Sequence, residues 1–122
     1  WHAFEDMVGG EIYVKKIPSM KVTELARAVA PNAVHQTIGI RPGEKLHEQM
    51  IGEEDAISTY EYAEHYKILP IINGWAQDPR RIKSGRLVKS DFVYNSETND
   101  QWMSVDELAD WIGANRHKLG LI

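Results

Sequence analysis

The sequence predicts a small α/β (α+β-like) fold, because segments with the period of a strand and segments with the period of a helix follow one another within 122 residues. Residues 11–17 alternate in character and are bounded by Gly9-Gly10 and Pro18, as expected for a short strand. Residues 21–30 and 104–112 instead repeat apolar side chains at helical spacing. A chain of this length can bury one modest core, so we expect a single domain over residues 1–122.

The first residues have the spacing of the last turns of a helix. Trp1, Phe4 and Met7 are three positions apart, and the following glycine pair indicates a turn. Because the first residue is Trp1 rather than Met, we expect the chain to be a fragment or a truncated gene product.

The next three segments predict a helix, a strand and a second helix. One face of a helix over residues 21–30 would hold Val22, Leu25, Ala26 and Val29. Residues 33–40 are rich enough in β-branched side chains for a strand. Pro42 suits the first position of a helix over residues 42–51, with Gly52 as its stop.

The middle of the chain predicts a hairpin followed by a loop. Tyr60 and Tyr62 would share one face of a strand, and residues 66–72 would form its partner. Tyrosines in such a hairpin can stack a nucleobase, close a small core or form a subunit contact. Residues 73–89 predict a solvated loop, and we interpret the basic cluster at residues 80–83 as a surface feature rather than a phosphate site.

The last element is a capped helix. Ser104 and Glu107 have the spacing of a capping box, and Gly113 is expected to end the helix. Its apolar stripe consists of Val105, Leu108, Trp111 and Ile112. Residues 92–94 predict an edge strand, and we expect Trp102 and Trp111 to anchor a core. The terminal apolar residues Leu119, Leu121 and Ile122 are expected either to dock on another subunit or to be disordered.

Arg41 and Glu44 are the strongest candidates for a ligand site. Arg41 precedes the predicted helix, whose free N–H groups attract anions, and its planar guanidinium suits phosphate oxygens. Glu44 would repel a bare phosphate, but it can accept hydrogen bonds from sugar hydroxyls. The alternative is a local salt bridge between the two side chains, with Glu44 complementing the helix dipole.

Three strings of this sequence resemble a known enzyme family. GGEIYVKKIPSMKV, IGIRPGEKLHEQMI and DFVYNSETNDQWMSVDEL are similar, in order and spacing, to the C-terminal part of inverting UDP-N-acetylglucosamine 4,6-dehydratases and their capsule-synthesis relatives. These are extended short-chain dehydrogenase/reductase enzymes, and the likeness covers residues 4–112. It implies the small substrate-binding domain of that family, with short strands and about three helices.

The resemblance also implies site residues. In that family, an arginine and a glutamate contact the UDP part of the substrate, and the resemblance places them at Arg41 and Glu44. The KIPSMK loop lies beside the same pocket in the family, so Pro18, Ser19 and Met20 are further candidates. The alternative for these three is a strand-to-helix turn with Met20 packed in the core.

The family's catalytic half has no counterpart in this sequence. Its NADP-binding region carries a glycine-rich fingerprint, and its catalytic centre uses a Tyr-x-x-x-Lys pair, neither of which occurs here. We therefore expect no cofactor site and no catalytic residue in this chain, although full-length members use NADP.

Composition excludes several other classes of function. The net charge of −4, with acids and bases intermixed, argues against nucleic acid as a partner. No apolar run reaches the roughly 20 residues of a membrane span, and the five histidines lack paired metal-ligand spacing. The absence of cysteine excludes disulfides and is compatible with the cytoplasm, where we expect the protein.

Two hypotheses about function follow from the sequence. The first is the UDP-sugar-binding portion of a nucleotide-sugar dehydratase of surface polysaccharide or glycan biosynthesis, which is not catalytic alone. The second is a non-catalytic structural module derived from that enzyme, whose exposed apolar surface is covered in a homo-oligomer.

Overall fold

The computed structural model describes residues 2–118 and has the mixed α/β fold that the sequence predicts, with small antiparallel sheets and several helices. In chain order, the elements are α1 (His2–Asp6), β1 (Ile12–Lys15), α2 (Val22–Val29), β2 (Gln49–Ile51), β3 (Thr59–Glu61), β4 (His65–Ile68), α3 (Pro79–Ile82), β5 (Arg86–Leu87), β6 (Tyr94–Asn95) and α4 (Val105–Asn115). Short 3₁₀ segments occur at Glu53–Ser58, Ile72–Gln77 and Arg116–Lys118. The described residues divide into two compact units, residues 2–17 with 48–98 and residues 18–47 with 99–118.

The first unit contains a four-stranded antiparallel sheet in the order β1-β4-β3-β5. The predicted hairpin is present, since β3 and β4 pair antiparallel and the N–H of Tyr62 donates to the carbonyl of His65 at 2.9 Å. Strand β4 lies between two other strands, and Lys67 is paired with Tyr13 on one side and Tyr60 on the other. This central place buries Lys67 almost completely.

The core of this unit is partly aromatic. It contains Val14, Ile51, Tyr66, Ile68 and Tyr94. The rings of Tyr66 and Tyr94 lie 5.1 Å apart, and β6, which carries Tyr94, pairs with β2. The Tyr94 hydroxyl accepts from the N–H of Ile17 at 2.8 Å and donates to its carbonyl at 3.0 Å, so this buried hydroxyl is satisfied.

Tyr60 and Tyr62 share a face, as predicted, because both lie against Gly85. A Cβ atom at Gly85 would be 2.5 Å from the Tyr62 ring and 3.0 Å from the Tyr60 Cβ, so only glycine fits there. Their hydroxyls donate to the backbone carbonyls of Ala76 and Ile82 at 2.8 and 2.7 Å. These contacts favour the core-closing alternative for the two tyrosines.

The prediction of a solvated loop at residues 73–89 was right about the exposure of most of these residues and wrong about the absence of regular structure. Asp78 caps α3 by accepting from the N–H of Arg80 at 2.9 Å, Pro79 occupies the first helical turn, and β5 follows. Arg81, assigned with its neighbours to the surface, is buried. Its partner is far away in sequence, which is why composition alone placed it in solvent.

The second unit pairs helix α2 with helix α4. The capping box at Ser104 and Glu107 is confirmed, since both reciprocal hydrogen bonds are present. Gly113 does not end the helix, which continues to Asn115 because glycine tolerates helical backbone angles. Trp102 and Trp111 are each about half exposed, so they are not the fully buried anchors that we expected. Leu119, Leu121 and Ile122 lie outside the described residues.

The capping box predicts a measurable stability effect. Replacing Ser104 with alanine should lower the free energy of unfolding by about 1 kcal/mol, because the Glu107 N–H then loses its acceptor. Urea denaturation followed by circular dichroism measures this loss. The control is Ser90→Ala, which removes an exposed hydroxyl for which the described structure shows no hydrogen bond. An equal loss in both variants would contradict a specific role for the cap.

The strand predicted over residues 33–40 and the helix predicted over residues 42–51 were both wrong. Every residue from 31 to 50 is exposed, and only Gln49–Ile51 forms regular structure, as β2. Within the described part of the chain, residues 33–40 have no partner strand, so their β-branched side chains gain nothing from an extended backbone. A helix over residues 42–51 would bury no apolar face, and short helices need such packing.

Candidate functional site

The segment Arg41-Pro42-Gly43-Glu44 forms a tight turn. The N–H of Glu44 donates to the carbonyl of Arg41 at 3.1 Å, and Gly43 has φ of +89°. Proline followed by glycine at positive φ is the signature of a type II turn. The Glu44 carboxylate closes the same turn from the other side, since its Oε2 accepts from the N–H of Arg41 at 2.8 Å.

This geometry changes the sequence-based view of the site. The candidate pair stands on a turn in an exposed segment, so no helix N-terminus contributes to anion binding there. The alternative of a salt bridge between Arg41 and Glu44 is not what forms, because the carboxylate is bonded to the backbone. Among the described residues, the Arg41 guanidinium has no hydrogen-bonding or ionic partner, so its planar donor fork faces solvent and is free for an external anion.

The other candidates lie in a differently organised segment. Ser19 is buried, its N–H donates to Gln101 at 2.8 Å, and its carbonyl accepts from the N–H of Met103 at 3.0 Å. Its hydroxyl oxygen accepts from the Asn99 side chain at 3.0 Å. Ser19 therefore joins the segment after β1 to the segment before α4.

Pro18 is exposed and Met20 is half-buried. Within residues 2–118, no hydrogen bond or ion pair connects the 18–20 segment with Arg41 or Glu44. The structure thus brings Arg41 and Glu44 together and leaves Pro18, Ser19 and Met20 in contacts of their own. Their role in substrate binding stays a prediction.

A buried charge cluster around Asp6 was not predicted from the sequence. The Asp6 carboxylate accepts from the ammonium groups of Lys67 and Lys83 and, at 2.6 Å, from the Tyr13 hydroxyl. The Lys67 side chain is 1% exposed, and its ammonium lies about 5 Å from the ring centres of Tyr13 and Tyr62. Burial alone would raise the pKa of Asp6, but the bonds from Lys67, Lys83 and Tyr13 outweigh it and hold that pKa well below its usual range.

A second buried pair joins Arg81 to Glu11 at 2.5 Å. Arg81 also donates to the Gly9 carbonyl at 2.6 Å, and its guanidinium lies 4.2 Å from the Trp75 ring centre. Burial would raise the pKa of Glu11, yet the N–H groups of Val8 and Gly9 and the charge of Arg81 lower it on balance. The partners in these two buried pairs are 61 and 70 positions apart, so no local pattern could have indicated them.

An open groove of about 790 Å³ lies on the first unit. Its aromatic lining consists of His2, Tyr13, Tyr62 and His65. The rings of Tyr62 and His65 stack in parallel, with their centres 4.6 Å apart. The two stacked faces therefore contact each other and are not open to a ligand. Burial lowers the pKa of His65, with smaller contributions from His2 and Lys67.

Other chemistries find no support in the part of the chain that the structure describes. Across residues 2–118, no three acidic, histidine or cysteine side chains are grouped so as to hold a metal ion. In the same residues, no helix has the length and apolar character needed to cross a membrane.

Comparison with known proteins identifies relatives of this chain. It is 49% identical over 114 residues to "UDP-N-acetylglucosamine 4,6-dehydratase (inverting)" of Campylobacter jejuni subsp. jejuni serotype O:23/36 (strain 81-176). It is 47% identical over 114 residues to the protein of the same name from serotype O:2 (strain ATCC 700819 / NCTC 11168). Both matches cover 89% of this chain and 34% of the relative, so the chain spans about a third of the length of these relatives.

A solved structure has the same fold. The X-ray structure of Pen from Bacillus thuringiensis superposes with a TM-score of 0.73 at 19% identity, over 94% of this chain and 34% of that one. At this identity, the likeness concerns the fold alone.

The family assignment depends on a match that covers more than half of the chain. Residues 1–70, more than half of the chain, match the family described as "Polysaccharide biosynthesis protein". Together with the two dehydratase relatives, this match confirms the resemblance inferred from the three sequence strings. The chain therefore belongs to the polysaccharide biosynthesis protein family.

Proposed function

We propose that this chain is the UDP-sugar-binding portion of a nucleotide-sugar 4,6-dehydratase that acts in surface polysaccharide or glycan biosynthesis. The observation that carries the proposal is the Arg41 guanidinium, which has no partner among the described residues and stands on a turn closed by two hydrogen bonds. The relatives, about 48% identical, are named for action on UDP-N-acetylglucosamine, and a UDP-N-acetylglucosamine-like ligand is the one we assign to this site.

The diphosphate of such a ligand matches Arg41. A guanidinium can donate two parallel hydrogen bonds to phosphate oxygens, which gives both attraction and orientation. Glu44 uses Oε2 for the turn, and its second carboxylate oxygen is available to accept from a ribose hydroxyl. Pro18, Ser19 and Met20 are proposed to flank the same ligand, as the family resemblance implies.

The chain is proposed to contribute substrate contacts and no chemistry of its own. NADP would supply the hydride acceptor in a full-length dehydratase. The residues present do not fit NADP, because none of the described strands is followed by a glycine-rich fingerprint. We assign no catalytic residue to this chain, and the expected cytoplasmic location is part of the same proposal.

Calorimetric titration with UDP and UDP-N-acetylglucosamine tests the proposal. We expect saturable binding, and Arg41→Ala should raise the Kd about ten- to a hundredfold, because a charge-assisted pair is lost. The matched control is Lys45→Ala, which removes an exposed cation from the same segment and should change the Kd little. No saturable binding at millimolar ligand, or equal losses in the two variants, would overturn the proposal.

A homo-oligomeric module is the second candidate, favoured by apolar side chains that the second unit leaves in solvent. Val34 is 98% exposed and Leu46 is 80% exposed. Such surface is commonly covered by a partner, here a second copy of the chain. Sedimentation equilibrium would then show a concentration-dependent mass that Arg41→Ala leaves unchanged, whereas a monomer at all concentrations would exclude this candidate.

A further inference from the structure

Few hydrogen bonds restrain the turn that carries Arg41. Residues 34–46 are all exposed, and among the described residues their only hydrogen bonds are the two that join Arg41 and Glu44. One is the backbone bond of the turn, and the other comes from the Glu44 carboxylate. Without that carboxylate, a single hydrogen bond would have to restrain a flexible, solvated backbone.

We propose that Glu44 is a positioning residue, which acts on the nucleotide through Arg41 by fixing the backbone from which the guanidinium projects. This inference rests on the proposed function of Arg41 as the phosphate ligand. The positioning role differs from a direct contact with the ligand. For positioning, Glu44 must be a hydrogen-bond acceptor, but it need not carry a negative charge. A negative charge beside a diphosphate is itself unfavourable, so beyond the proposed ribose contact we assign Glu44 a second role, in the bond to the Arg41 N–H.

The physical basis is preorganisation. A ligand that binds a disordered loop must order the loop at the same time, and this cost weakens the observed affinity. The turn removes part of the cost in advance, since Pro42 restricts its own φ and Gly43 accepts φ of +89° without strain. Glu44 adds the bond that closes the turn at Arg41 itself.

Two substitutions separate the acceptor from the charge. Glu44→Gln keeps a side-chain oxygen that can accept from the Arg41 N–H, and Glu44→Ala removes it. Gly43→Ala strains the turn and leaves both side chains in place, because a Cβ there meets no atom within 4 Å beyond its two chain neighbours and the backbone angle is unfavourable. Glu48→Gln is the control, since it neutralises a carboxylate four positions further along the chain, and this carboxylate makes no bond in the described structure.

The first measurement needs no ligand. In the NMR spectrum of the wild-type chain, the Arg41 amide proton should shift when acid protonates the carboxylates, because its acceptor changes charge. The shift should disappear in Glu44→Gln and persist in Glu48→Gln. An Arg41 amide that does not respond to acid in the wild-type chain would overturn the positioning role, whatever the chain binds.

The second measurement is titration of the same variants with UDP. Glu44→Gln keeps the acceptor for the Arg41 N–H but loses the second oxygen proposed for the ribose, so it should bind about threefold more weakly than the wild type. Gly43→Ala should bind about tenfold more weakly, and Glu44→Ala, which loses both roles, about thirtyfold more weakly. If Glu44→Gln is as weak as Glu44→Ala, the charge itself contacts the ligand and the positioning role is wrong. If the wild type does not bind UDP, the proposed function fails, and the amide measurement still decides whether Glu44 holds the turn.

Discussion

Replacing Arg81 with methionine is expected to lower the free energy of unfolding by about 3–5 kcal/mol, enough to unfold a marginal domain. The Glu11 side chain is 1% exposed and would keep its charge in the interior without the guanidinium that now pairs with it. Methionine fills a similar volume, so the loss measures the uncompensated charge rather than a cavity. Urea denaturation followed by tryptophan fluorescence gives the free energy directly.

The adjacent arginine supplies the control. Arg80 pairs with Asp78 on the surface, and its side chain is 84% exposed. Arg80→Met removes the same charge from the same helix, and no comparable loss is expected because exposed pairs contribute little. Similar unfolding curves for the two variants would mean that the Arg81–Glu11 pair does not organise the first unit.

Asp6→Asn should have an effect of the same size, about 3–5 kcal/mol, by leaving the buried ammonium of Lys67 without a counter-charge. Asparagine preserves the shape and can still accept from Tyr13, so the change isolates the charge. The control is Glu5→Gln, one position away in α1, where no pairing is present in the described structure. Denaturation in which Asp6→Asn and Glu5→Gln behave alike would contradict a structural role for the Asp6 cluster.

The buried titratable groups of the first unit make the stability of the fold depend on pH. A carboxyl group whose pKa is lower in the folded state stabilises the fold above its unfolded pKa, and this stability is lost as the pH falls. Asp6 and Glu11 are both of this kind, so we expect loss below about pH 4. His65, whose pKa is lowered mainly by burial, adds a loss of stability that already begins as the pH falls below about 6.5.

Stability measured against pH distinguishes these contributions. Asp6→Asn should reduce the slope of the curve below pH 4 to the part that Glu11 contributes. Because the charge of Asp6 raises the pKa of His65, the variant should also lose slightly more stability near pH 6. A curve in the variant that parallels the wild type below pH 4 would show that Asp6 carries no such linkage.

The sequence predicted those elements whose signals are local. Strand β1, helix α2, the β3–β4 hairpin and the capped helix α4 were all expected, because alternation, helical spacing and a capping box act over a few residues. Residues 33–51 followed the same local patterns and were predicted wrongly. A β-branched run becomes a strand only if another strand pairs with it, and an amphipathic turn becomes a helix only if its apolar face is buried.

For the charged residues, too, the sequence identified what is local and missed what depends on distant parts of the chain. The sequence by itself identified Arg41 and Glu44 as a pair three positions apart, but it placed them at the start of a helix rather than on the turn that the structure shows. Only the tertiary structure decided that Glu44 bonds the backbone of Arg41 rather than its guanidinium, and that Arg81 and Lys67 are buried against acids 70 and 61 positions away. The physical reason is that charge pairing depends on distance in space and on the exclusion of water, and for partners so far apart in the chain the fold alone determines both.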